Sequence, residues 1–66
     1  MTKNDLVLKL AQIRVSKGMS QLALSQMIGK SIVYVHEVEK GKSNLTLSAF
    51  LDICNALEIN PRDLFD

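Results

Sequence analysis

Helix-capping residues and glycines alternate along the middle of this 66-residue chain, and their spacing limits what it can fold into. Ser20 precedes a segment that stops at Gly29, and Ser31 precedes a second segment that stops at Gly41. Serine favours a helix N-cap because its side-chain oxygen accepts a hydrogen bond from a free backbone N–H. Glycine favours the position just past a helix because it adopts the left-handed conformation without strain. The pattern predicts two short helices joined by a turn of about three residues.

The first of these two helices is expected over residues 21–28 and the second over residues 32–40. Two short helices joined by a tight turn form a helix-turn-helix, whose second helix typically enters the DNA major groove. Apolar residues recur in both segments at helical spacing, which predicts the sides that face the core. The expected core positions are Leu24, Met27, Ile28, Val35 and Val38.

Three further helices are expected around this pair. Thr2 and Asp5 have the spacing of a capping box, which predicts a helix over residues 3–17. Thr46 is the expected cap of a helix over residues 47–57. Asn60 followed by proline predicts the start of a last helix of one or two turns. The apolar stripes of the two longer helices are Leu6, Leu10 and Ile13 in the first, and Leu47, Phe50, Ile53, Cys54 and Leu57 in the second.

The composition fits a single all-α domain over residues 1–66. Apolar residues make up 47% of the chain, which is ample for a packed helical core. Cys54 is the only cysteine, so the chain has neither an internal disulfide nor zinc-ligand spacing, and we expect no metal and no cofactor. It has no nucleophile–base pair or phosphate-binding loop, which argues against an enzyme with a small-molecule substrate. Signal-peptide and membrane-spanning patterns are missing too, so we expect a cytoplasmic protein that does not bind membranes.

Four short segments, taken together with the spacing between them, are more specific for a protein family than any one of them alone. They are Arg14-x-x-x-Gly18-x-Ser20-Gln21, Ile28-Gly29, Val38-Glu39-Lys40-Gly41 and Ile53-Cys54-Asn55-Ala56-Leu57-x-x-x-Pro61-x-x-Leu64-Phe65. In this spacing the chain resembles the lambda-repressor-like, or xenobiotic-response-element, family of helix-turn-helix DNA-binding domains over residues 6–65. The resemblance implies a five-helix bundle. The short length, Tyr34 and Asn44-Leu45-Thr46-Leu47 look like the controller proteins of restriction–modification systems, although phage repressors and antitoxin subunits can share these features.

The family resemblance implies double-stranded DNA as the partner and assigns roles to individual residues. Gln21 matches a glutamine that contacts a phosphate and braces the recognition helix. Arg14 and Glu39 match positions that form an ion pair between the first helix and the end of the third. Lysines clustered between residues 30 and 44 can hold the DNA backbone on both sides of the groove. The expected DNA-binding residues are Gln21, Lys30, Ser31, Ile32, Val33, Tyr34, His36, Glu37, Lys42, Ser43 and Asn44.

Several of these side chains have a second interpretation. Ile32 and Val33 cannot donate hydrogen bonds, so they either meet thymine methyl groups or pack against a helix or a partner. Tyr34 either donates its hydroxyl to a phosphate or covers the fourth helix as a half-buried ring. His36 has no second ligand at metal-binding spacing, which favours a solvent-facing residue of the recognition helix over a metal ligand or general base. Polar base readout would then fall on His36 and Glu37, with Tyr34 as a further candidate.

Taken together, these observations predict a sequence-specific DNA-binding transcription regulator that acts as a homodimer on a palindromic operator. One such unit reads too few base pairs to select a genomic site, and a two-fold dimer doubles that number. The last two helices must supply the seam, for which the candidates are Leu51, Ile59, Leu64 and Phe65, although Leu64 and Phe65 could instead close the core. The alternative is a protein-interaction or antitoxin-type module with the same fold, favoured by a formal net charge of only +1.

Overall fold

The computed structural model describes residues 1–65, which fold into four α-helices and one 3-10 helix. These are α1 (Lys3–Ser16), α2 (Gln21–Met27), α3 (Tyr34–Glu39), α4 (Leu47–Leu57) and the 3-10 helix Pro61–Phe65. Residues 1–65 contain no β-strand. The predicted all-α helix-turn-helix class is confirmed, while the expected fifth helix takes the tighter 3-10 geometry.

Side-chain caps start three of the four α-helices as predicted. Thr2 Oγ1 accepts a hydrogen bond from the Asp5 N–H at 3.1 Å, and Asp5 Oδ2 accepts one from the Thr2 N–H at 3.0 Å. These bonds to Thr2 hold the pKa of the Asp5 carboxyl below its usual value, because they favour the charged form. The hydroxyls of Ser20 and Thr46 cap α2 and α4 in the same way, accepting from backbone N–H groups at 3.0 and 3.1 Å.

The start of α3 differs from the prediction. The helix begins at Tyr34 rather than at residue 32, and Val33 occupies the N-cap position without a side-chain hydrogen bond. The prediction that Ser31 caps this helix is therefore wrong. Instead, the hydroxyl of Ser25, on α2, accepts the Val35 N–H at 3.0 Å. The turn between α2 and α3 consequently covers residues 28–33 and is longer than predicted.

One buried cluster holds the helices together. It takes residues from all four α-helices and from the 3-10 helix, and Cys54 and Leu57 lie at its centre with 0% and 1% of their surface exposed. Burial raises the pKa of the Cys54 thiol, which keeps this side chain neutral. The cluster consists of Leu10, Leu24, Val35, Phe50, Ile53, Cys54, Leu57 and Leu64, with Leu6, Ile13 and Ile28 packed against it.

Two predicted core positions are wrong. Met27 is 59% exposed. The buried side of α2 is rotated toward Ser25, which is fully buried, so Met27 lies at the edge of that buried side. Leu47 is 73% exposed because it is the first residue of α4 and lies beyond the helices that cover the rest of the stripe. Val38 is buried as predicted.

The ends of α2 and α3 are set by glycine conformation. Gly29 and Gly41 have φ angles of +71° and +80°, in the left-handed region where a side chain would be strained. Between these two turns, α3 packs against both α1 and α2. This packing buries Val35 and Val38 and leaves the opposite side of α3 exposed to solvent.

Candidate nucleic-acid interface

The exposed side of α3 and the turn before it form the candidate interface. Ile32 and Val33 lie in the turn, before the first residue of the helix, with 59% and 48% of their surfaces exposed. Ser31 precedes them and is also exposed, while His36 is exposed on the helix itself. Four of the predicted base-facing residues are thus accessible together, although Ile32 and Val33 belong to the turn and not to α3, and Glu37 is half-buried.

An ion pair lies behind this surface, where the family resemblance placed it. Arg14 Nε donates to Glu39 Oε2 at 2.9 Å, and the side chains are only 12% and 17% exposed. Arg14 Nη2 also reaches Glu39 Oε1, at 3.2 Å, and Nη1 donates to the Met19 carbonyl at 2.8 Å. The guanidinium therefore ties the end of α3 to α1 and to the segment before α2, and it balances the charge of Glu39.

Gln21 connects this ion pair to the exposed surface. Its Nε2 donates to Glu39 Oε1 at 2.8 Å, and its Oε1 lies 3.2 Å from His36 Nδ1. The side chain thus braces α3 at two points from the first position of α2. The phosphate contact that the resemblance implies for Gln21 stays a prediction.

Lysines surround the exposed side of α3. Lys30 lies over the ring of Tyr34, with Nζ 5.4 Å from the ring centroid, and Lys40 and Lys42 are exposed at the end of α3. Lys3 joins them from the start of α1, where its Nζ donates to Asn44 Oδ1 at 2.8 Å. Sequence reasoning missed Lys3, because it is separated from Asn44 by 41 residues and only the fold brings the two together.

Tyr34 is half-buried and packs against the core cluster. This placement agrees with the interpretation of a covering ring, and burial raises the pKa of its phenol. The hydroxyl lies 3.4 Å from the Asn44 carbonyl oxygen, at the long limit of a hydrogen bond. A phosphate contact from this hydroxyl stays a prediction.

The loop after α3 folds back onto the end of the helix. The Glu37 carbonyl accepts the backbone N–H groups of Lys42 and Ser43 at 2.9 and 3.3 Å, and Gly41 provides the left-handed turn. Lys42 and Asn44 are therefore exposed beside the candidate interface, while Ser43 and the Glu37 side chain are half-buried.

The four candidate dimer residues separate into two groups. Leu64 is 3% exposed within the core, so its assignment to a dimer seam is wrong and the alternative, closing the core, is correct. Ile59 is half-buried against the same cluster. Leu51 and Phe65 remain accessible, with 43% and 59% of their surfaces exposed. The Phe65 ring meets Phe50 edge-to-face, with centroids 6.4 Å apart.

Ser25 is a second position that sequence reasoning missed, and it holds the start of α3 against α2. It is fully buried, its hydroxyl donates to the Gln21 carbonyl at 2.9 Å, and it accepts the Val35 N–H. A serine at a position that faces the core is the signal that could have revealed this role.

Within residues 1–65 there is no group of three His, Cys, Asp or Glu side chains able to hold a metal ion, and none of the helices there is long and apolar enough to cross a membrane.

Comparison with known proteins agrees with this geometry. A family model described as helix-turn-helix matches residues 10–64. The chain belongs to the helix-turn-helix family. It is 37% identical over 59 residues to control protein C.BamHI of Bacillus amyloliquefaciens. The match covers 88% of this chain and 73% of that protein. The chain also matches the crystal structure of the restriction-modification controller protein C.AhdI from Aeromonas hydrophila, with a TM-score of 0.84, 36% identity and 96% of each chain covered. The resemblance to DNA-binding controller proteins of this family is confirmed.

Proposed function

We propose that this helix-turn-helix protein is a transcription regulator that binds a palindromic DNA operator as a homodimer and controls a restriction–modification system. The observation that carries this proposal is the accessible α3 surface bordered by lysines. The similarity to control protein C.BamHI and to C.AhdI supports the restriction–modification part of it.

The distribution of charge supports DNA as the partner. The formal net charge is only +1, but Glu39 is paired with Arg14 and largely shielded, so it contributes little negative potential to the surface. Lys3, Lys40 and Lys42 are exposed around α3. The surface that faces DNA is therefore more basic than the whole chain, and local charge decides phosphate binding.

Exposed apolar residues on α4 and the 3-10 helix support a homodimer. Leu47 and Leu51 lie one turn apart on α4 and are 73% and 43% exposed. Phe65 lies against Phe50, which is one turn along α4 from Leu47. We assign the dimer seam to Leu47, Leu51 and Phe65, because a symmetric contact there would bury side chains that the monomer leaves in water.

Selection of bound sequences from random DNA tests the proposal. We expect enrichment of a palindrome whose half-sites are about one helical turn apart. Lys42→Ala should weaken binding to all sequences and reduce the slope of log affinity against log salt by roughly one unit. Arg62→Ala removes the same charge from an exposed position on the 3-10 helix and serves as the control. Unchanged affinity and slope in Lys42→Ala would show that this loop does not meet the backbone.

A protein-interaction or antitoxin-type module is the second candidate. The exposure of Ile32 and Val33 favours it, because two apolar side chains at the front of the surface suit a protein partner. This candidate predicts no enriched DNA sequence and no salt-dependent affinity for mixed DNA. The selection experiment therefore separates the two functions.

A further inference from the structure

The side-chain amide of Gln21 has only one favourable orientation. Arg14 donates to both oxygens of Glu39, at 2.9 and 3.2 Å, which favours the ionised carboxylate. An ionised carboxylate only accepts hydrogen bonds. The group of Gln21 that lies 2.8 Å from Glu39 Oε1 must therefore be the donating NH₂, and the amide oxygen must point toward α3.

This orientation determines which nitrogen of His36 carries a proton. Gln21 Oε1 lies 3.2 Å from His36 Nδ1, and an amide oxygen can only accept. Nδ1 must then be the donor. A neutral imidazole has a single N–H, so Nε2 of the neutral ring keeps a free lone pair. The exposed edge of His36 is consequently a hydrogen-bond acceptor.

We propose that the chain Arg14–Glu39–Gln21 makes His36 a base-reading acceptor, which selects a base carrying an exocyclic amino group in the major groove. This inference rests on the proposed DNA-binding function. Cytosine N4 and adenine N6 are the amino groups displayed in that groove, whereas guanine and thymine present only acceptors at the corresponding edges. Gln21 is a positioning residue in this scheme, since it acts through His36.

Glu37, the other acceptor on α3 that could read a base, is half-buried, whereas His36 is exposed. Ile32 and Val33 are exposed but have no side-chain hydrogen-bonding group. A phosphate oxygen only accepts, so the free lone pair of neutral His36 cannot bind one. An amino group on a base is the matching partner that the major groove offers.

The tautomer is measurable without DNA. Two-bond ¹⁵N–¹H correlation spectra of the ¹⁵N-labelled protein, recorded where the imidazole is neutral, distinguish the two ring nitrogens. We expect a protonated Nδ1 and a lone-pair Nε2 in the wild type. Gln21→Met removes the acceptor and should shift the ring toward the Nε2–H tautomer. Gln26→Met, an exposed position on the same helix, is the matched control and should leave the spectrum unchanged. A wild-type ring protonated at Nε2 would overturn the inference.

Base analogues test the contact itself. In the selected operator, each adenine is replaced by purine and each cytosine by 2-pyrimidinone, which removes one exocyclic amino group at a time. At one position per half-site the wild type should lose about fivefold in affinity, the size of one net hydrogen bond. His36→Ala should show no loss there, and Gln21→Met should show a reduced one. If His36→Ala and the wild type lose the same affinity at every substituted base, His36 does not make the proposed contact. If the wild type binds no specific DNA, the proposed function fails as well, whatever the tautomer.

Discussion

The Glu39 carboxylate accepts hydrogen bonds from Arg14 Nε, Arg14 Nη2 and Gln21 Nε2, groups that belong to two other helices. Because the three side chains share one carboxylate, changing any of them also affects the contacts of the other two. The pair is shielded from water, so the cost of removing both charges from solvent offsets much of their attraction. Its main effect is to fix the position of α3 relative to α1 and α2, and with it the placement of His36.

At this scale we predict strong coupling between Arg14 and Glu39. Arg14→Met leaves a shielded carboxylate, and Glu39→Met leaves a shielded guanidinium, so each single change should destabilise the fold more than the double change does. The coupling energy from a double-mutant cycle should be about 2 kcal/mol. Urea unfolding followed by circular dichroism gives the four free energies of unfolding. Additive losses would show that the two side chains are not coupled.

At the scale of elements, the helix starts that were predicted correctly are those with local caps. Thr2, Ser20 and Thr46 each bond a backbone N–H three residues ahead, so a short window of sequence contains both partners. The start of α3 could not be found in this way, because Ser25 lies 10 residues before the N–H that it accepts. The end of α4 at Leu57 agrees with the predicted range, although Glu58 follows it in the left-handed conformation, with φ of +58°, where glycine is usual.

Ser25→Ala and Ser31→Ala compare the serine that accepts a backbone N–H of α3 with the serine that the sequence indicates as its cap. Ser25→Ala leaves the buried Val35 N–H without its acceptor, so we expect a loss of about 1–3 kcal/mol in the free energy of unfolding. Ser31→Ala alters an exposed side chain that makes no cap and should change stability by less than about 0.5 kcal/mol. Thermal melts of the two variants at equal concentration measure the difference. A larger loss from Ser31→Ala would restore Ser31 as the cap.

At the scale of the whole molecule, the sequence indicates which segments belong to the candidate interface but not which apolar residues remain outside the core. Most of the candidate DNA-binding residues lie between positions 30 and 44 and are near one another because they are close in sequence. Lys3 joins them only through tertiary packing. Helical spacing alone does not distinguish Leu64, which fills the core, from Leu51, which lies on its outer side, because the distinction depends on where the other helices pack.

We therefore expect opposite outcomes when a charged side chain replaces Leu64 and when one replaces Leu51. Leu64→Lys places a charge among buried apolar side chains, so the domain should lose its cooperative melt and its helical spectrum. Leu51→Glu keeps the core intact and sets two like charges against each other across a symmetric seam. That variant should remain folded, sediment as a monomer, and bind the palindrome no better than a half-site. Leu8→Glu adds the same charge at an exposed leucine on α1 and should stay dimeric. Sedimentation, melting curves and titrations with full and half operators give the three readouts. If Leu51→Glu remains a dimer with full affinity for the palindrome, Leu51 does not belong to the seam, and charge substitutions at Leu47 and Phe65 become the remaining test of this surface.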